Sequence, residues 1–186
     1  PGHVAVHALA HGFVGDTRAS VALLERAARL EPTDRRVVGL LANQLARRGR
    51  HELAADLLTG MHRRDGGAAA FEAATRQIAL SGDVPRLLQW TDSVTLDQRG
   101  ANVEVLGLGG VALLAAGRRG DAEPFLENLA GRTDRPEARA WADALRLRFA
   151  EDPPGLGEAI ERLNVAASRY PNNPWIQHWL ASTYDR

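Results

Sequence analysis

Apolar residues recur along this chain at helical spacing, in blocks closed by glycine, proline or aspartate. Val4, Ala8, Leu9 and Phe13 predict a helix over residues 4–14. Asp16 or Thr17 caps a second helix running to Leu30, with Ala22, Leu23, Ala27 and Leu30 as its apolar stripe. Pro32 forbids continuation and biases Glu31 away from helical angles. Asp34 caps a third helix over 35–48 that buries Val38, Leu41, Ala42 and Leu45. A fourth, over 51–63, turns Leu53, Ala54, Leu57, Leu58 and Met61 inward. A fifth, over 68–80, uses Phe71, Ala74 and Ile78. Asp83 caps a sixth, with Pro85 in its first turn and Leu87, Leu88 and Val94 inward. Thr91 stands there at a core position.

Beyond a turn at Gln98-Arg99-Gly100, a seventh helix covers 103–116. Asp121 opens an eighth, with Pro124 in its first turn and Ala122, Phe125, Leu126 and Leu129 inward. Asp134 caps a ninth carrying Ala138, Trp141, Leu145 and Phe149. The longer turn Asp152-Pro153-Pro154-Gly155 precedes a tenth helix over 156–170, which buries Ala159, Ile160, Leu163, Ala166 and Ala167. Trp175 to Tyr184 begins an eleventh. Only Asn102–Leu106 alternates at period two over a useful length.

The punctuation is itself periodic. Gly15, Gly49, Gly82 and Gly117 are separated by 34, 33 and 35 residues. That spacing is one period of a helix-turn-helix array. The expected fold is therefore all-α: a solenoid of antiparallel helix pairs in one domain over 1–186. Its units are placed at about 1–34, 35–67, 68–102, 103–136 and 137–173, with 174–186 a partial sixth.

Within each unit the two helices carry their own marks. The first-helix pattern is a large residue, a Leu-small pair and another bulky residue: Val38, Leu41-Ala42 and Leu45, and again Leu180-Ala181 with Tyr184. The second-helix pattern is small, bulky, small, then proline: Ser20, Leu24, Ala27, Pro32, and Ala159, Leu163, Ala166, Pro171. Shorter copies are Ala54, Leu58, Met61 and Ala122, Leu126, Leu129. Two helices that cross closely need a small residue at the crossing, with larger apolar residues at its sides. In these marks the chain resembles the tetratricopeptide repeat (TPR) family over nearly its whole length. It departs from that pattern at Thr75 and Leu87, where small residues are expected, and by lacking the first-helix aromatic in most units. The resemblance implies a right-handed superhelix whose first helices line a concave groove that binds peptides.

Composition narrows the chemistry. Of 186 residues 45% are hydrophobic and 25% charged, a globular balance. Formal charge is zero, so bulk charge points to neither nucleic acid nor an anionic membrane. The 23 basic residues are all arginine, which removes a P-loop lysine and a Schiff-base lysine. The absence of cysteine removes disulfides, thiolate catalysis and Cys-zinc sites. No apolar run reaches the ~18 residues that span a bilayer, and no signal peptide is visible at the N-terminus. Pro1 in place of an initiator methionine reads as a fragment or processed piece.

Three features imitate catalytic or cofactor motifs. His3, His7 and His11 share one helix face, a spacing that suits a divalent metal, but no adjacent carboxylate completes a site. His51-Glu52 begins like a zinc-protease motif, yet the position four residues after His51 is Ala55. Gly107-Leu108-Gly109-Gly110-Val111-Ala112 matches the loose dinucleotide fingerprint after the strand-like 102–106. That fingerprint needs a βαβ unit, and helix pairs flank it here. Gly109 and Gly110 fall instead at the small crossing position of a repeat. No catalytic residue, cofactor or metal is therefore expected.

The expected function is a non-catalytic scaffold that holds a protein or peptide segment, as part of a larger protein. The resemblance places Arg36, Asn43 and Arg47 in the groove, then Glu72 and Arg76, then Glu104, and finally Trp141, Leu145 and Arg148. Arginines there would clamp carboxylates of a bound peptide. The alternative is a spacer or self-assembling segment of a longer solenoid, motivated by Trp175, Trp179 and Leu180 on a last helix with no partner after it. A metal- or nucleotide-dependent enzyme is the third reading, resting on the histidine row and the glycine motif alone.

Overall fold

A computed structural model of the chain describes residues 2–13, 15–92, 102–149, 156–171 and 173–184. Among them are eleven α-helices and no strand. Packing groups the chain into two compact units, residues 1–83 and 84–186. The first holds α1 (Gly2–Phe13), α2 (Thr17–Leu30), α3 (Arg35–Arg47), α4 (His51–Asp65) and α5 (Ala68–Ser81). Each of these helices packs on the next in sequence. The second holds α6 (Val84–Asp92), α7 (Val103–Ala115), α8 (Arg119–Gly131), α9 (Pro136–Phe149), α10 (Leu156–Arg169) and α11 (Pro174–Tyr184). There α9 is central, packing on α7, α8, α10 and α11.

The periodic glycines do what their spacing suggests. Gly15, Gly49, Gly82 and Gly117 all have left-handed backbone, with φ between 70° and 83°. Gly49 and Gly117 close their helices in the same way. The Gly49 N–H donates to Ala46 O and the next N–H, of Arg50, to Leu45 O, both at 2.9 Å. Gly117 and Arg118 repeat this on Leu114 O and Leu113 O. This paired closure satisfies the last carbonyls and needs a residue that tolerates positive φ. The same substitution therefore has opposite signs at two nearby sites. Gly49→Ala is expected to destabilise by about 1 kcal/mol. Gly39→Ala, inside α3 where an added Cβ meets nothing within 4 Å, is expected to stabilise by about 0.5–1 kcal/mol. Denaturant midpoints of the two variants check this.

Helix starts follow the aspartates only in part. Asp16 Oδ1 accepts from the Ala19 N–H at 3.0 Å, and Asp34 Oδ1 from the Arg36 N–H at 2.8 Å. The seventh helix is capped by Asn102, whose Oδ1 accepts from the Glu104 and Val105 N–H groups at 2.8 and 3.2 Å. The seventh helix expected over 103–116 is there, and the alternation at 102–106 is its start: Asn102 is a cap, and the valines are the first turn of a helix buried nearly all round. Asn173 caps α11 by accepting from Trp175 and Ile176.

The core follows the second-helix pattern closely. Ser20, Leu24 and Ala27 in α2 are buried, as are Ala54 and Leu58 in α4, Ala122 and Leu129 in α8, and Leu163 and Ala166 in α10. Three expected core positions are instead exposed: Ala22, Leu30 at 58% and Leu53 at 43%. Val21 replaces Ala22 in the α2 stripe, and Ala55 and Thr59 extend the α4 stripe in place of Leu53. These helices are covered by two neighbours, so the buried arc is broader and rotated from a single-stripe reading. The two core threonines satisfy themselves. Thr75 Oγ donates to Phe71 O at 2.8 Å and Thr91 Oγ to Leu87 O at 2.9 Å. The side chains of Leu9, Phe13, Phe149, Ala159 and Tyr184, residue Val94 and the turns at 98–100 and 152–155 lie outside the described residues.

Candidate partner-binding surface

On α3, Arg36, Asn43 and Arg47 lie seven and four residues apart, which at about 100° per residue is one line along the helix. All three are exposed, the Arg36 side chain by 92%. Val38, Leu41, Ala42 and Leu45 occupy the opposite face and are buried. The helix is thus held from behind while its polar line faces solvent. The ion contact that Arg36 makes is a long one, with its Nε 4.0 Å from Asp34. The neighbouring Arg35 is engaged elsewhere, donating to Asp65 Oδ2 at 2.7 Å. On α5, Glu72 and Arg76 are four apart, half-buried and exposed respectively. They lie across the helix from Ala70, Ala74 and Ile78, which are buried.

In the unit formed by 84–186, Glu104 is half-buried and accepts from Trp175 Nε1 at 3.1 Å. It walls an open cleft of about 450 Å³ together with Asn102, Asp134, Arg135, Glu137 and Tyr170. Glu137 is held in turn by Asn173, whose Nδ2 donates to it at 3.0 Å. Two of the three carboxylates are therefore fixed by neutral donors from the α10–α11 turn and α11. The lining has three carboxylates and one guanidinium.

Trp141 is a core residue and not part of any surface. It is 2% exposed, with its ring 5.1 Å from that of Trp179 and 6.3 Å from that of Trp175. Leu145 is fully buried as well. The reason lies on α7. A Cβ at Gly107 would stand 2.2 Å from Trp141 Cε3, and one at Gly110 would stand 3.1 Å from Leu145 Cδ1. One at Gly109 would stand 3.0 Å from Phe125. The glycines of the dinucleotide-like motif are the places where three side chains lie directly on the α7 backbone. Arg148 has its side chain outside the described residues.

The tryptophans of α11 are likewise accounted for. Trp179 is 4% exposed and Ile176 3%, both turned toward α9, while Trp175 and Leu180 are half-buried. Of the apolar face expected to be open on the last helix, Trp179 is thus covered within the chain and Trp175 and Leu180 partly so, and among the described residues Gln177, His178 and Ala181 are exposed. Of the histidine row, His7 is exposed and His11 Nδ1 is 3.5 Å from Asp16. The His3 side chain lies outside the described residues. Among those residues no three His, Asp or Glu side chains gather as a metal site.

One buried charge was invisible in the pattern. Asp143 on α9 is 3% exposed, and Arg162 on α10 holds it with both arms, Nε at 2.7 Å and Nη2 at 3.2 Å. Arg162 also bonds Glu158, and Arg146 Nη1 stands 3.7 Å from Asp143. The hydrogen bond that Arg162 donates to Asp143 holds its guanidinium protonated more firmly than usual. The group clamps α9 to α10.

Two solved structures share this arrangement. A thermophilic TPR protein from Thermus thermophilus matches 100% of this chain and 99% of its own, at 18% identity and a TM-score of 0.60. A tetratricopeptide repeat protein from Parabacteroides merdae matches 98% of this chain and 72% of its own, at 16% identity and a TM-score of 0.65. No family model matches the sequence, and no curated protein matches it. The fold is that of the tetratricopeptide repeat, an all-α helical repeat.

Proposed function

We propose that this chain is a non-catalytic interaction module that holds a peptide segment or protein partner. The observation that carries the reading is the line Arg36, Asn43, Arg47 on α3. It is polar and solvent-facing, and it sits on a helix whose opposite face is locked into the core. A rigid helix presenting fixed side chains binds with less ordering cost than a loop does. Two guanidiniums on that line suit carboxylates of the partner, through forked donation. Glu72 and Arg76 extend the same kind of surface on α5. In residues 84–186 the Glu104 cleft is a second contact region. With three carboxylates against one guanidinium it suits a basic side chain.

Two arguments favour this over the other readings. The self-assembly reading rested on Trp175, Trp179 and Leu180, and of these Trp179 is buried while Trp175 and Leu180 are half-buried, which leaves less apolar surface for a second copy. The nucleotide reading needed the glycine motif in a βαβ unit, and the motif lies within a buried helix.

The test uses peptides selected for binding to the whole chain from a displayed random library. The double variant Arg36→Glu/Arg47→Glu is expected to bind them at least about tenfold more weakly, a change of about 1.4 kcal/mol. Its far-UV circular dichroism should be unchanged, because both residues are exposed. Unaltered affinity would remove the α3 line from the account.

A further inference from the structure

We draw no further inference here: the strongest candidate, the open cleft at the N-termini of α7 and α9 walled by Glu104, Asp134, Glu137 and Tyr170, is an acidic cluster at two helix starts with no second observation that points to a ligand, and it belongs to the surface already described.

Discussion

Gly107→Ala is expected to lower the stability of residues 84–186 by about 2 kcal/mol, against the usual gain from replacing a helical glycine. The added Cβ would meet three ring atoms of Trp141 at 2.2–2.7 Å. Contacts that short force either the ring or the α7 backbone to move. Neither moves cheaply, because Trp141 is 2% exposed and packed edge-on against Trp179 and at a tilt against Trp175. Overpacking of this kind costs up to about 3 kcal/mol, and helix propensity returns about 1 kcal/mol. For a chain of this size the net corresponds to a fall in Tm of roughly 4–8 °C. All four tryptophans lie in 84–186, so intrinsic fluorescence follows this unit specifically. The remedy is also specific. Trp141→Phe withdraws two of the three atoms that clash, Cε3 and Cζ3, and removes an indole N–H that is buried without a hydrogen-bond partner among the described residues. The double variant Gly107→Ala/Trp141→Phe should therefore be more stable than the sum of the single changes. Strict additivity would mean that the ring does not lie on the α7 backbone.

Arg162→Ala is the second large effect. It strips the two-armed donor from a carboxylate that is 3% exposed. Breaking a buried pair from one side typically costs about 3–5 kcal/mol. Here the loss is set at about 2–3 kcal/mol, because Arg146 stays within 3.7 Å and Arg162 is itself partly exposed. Replacing both partners, Asp143→Ala with Arg162→Met, removes the stranded charge as well as the bond. That double variant should recover most of the loss. Chemical denaturation of Asp143→Ala, Arg162→Met and the pair measures the coupling. A coupling near zero would place Asp143 in water.

The helices were legible because their signals are local. Glycine at the left-handed turns, aspartate at the starts and proline at the stops each act within one turn of the backbone, and the period of about 34 residues came from the first of these. What escaped was whatever depends on two or more neighbours at once. Leu30 and Leu53 are apolar and on a plausible stripe, yet they face solvent, because the covered arc is set by packing on both sides. Asp143 sits in an alanine-rich apolar run, and its Arg162 partner is 19 residues away on another helix. No spacing rule connects them. Trp141 and Gly107 are a further case. Each alone suggests a ligand, a stacking ring or a phosphate loop, and together they are a knob and the hole that receives it. The surface residues Arg36, Asn43 and Arg47 were legible for the opposite reason. Their line is fixed once the buried face of α3 is known, since the two faces of one helix are complementary.

The central claim is that a partner covers that α3 line. All 23 basic side chains are arginine, so an arginine-directed reagent read by mass spectrometry maps the cationic surface without interference from lysine. Labelling is compared with and without a selected peptide at saturating concentration. The expected result is loss of labelling at Arg36 and Arg47, with Arg146 on α9, whose side chain is 51% exposed, still modified. Equal labelling of Arg36 and Arg47 in the free and bound chain would contradict it.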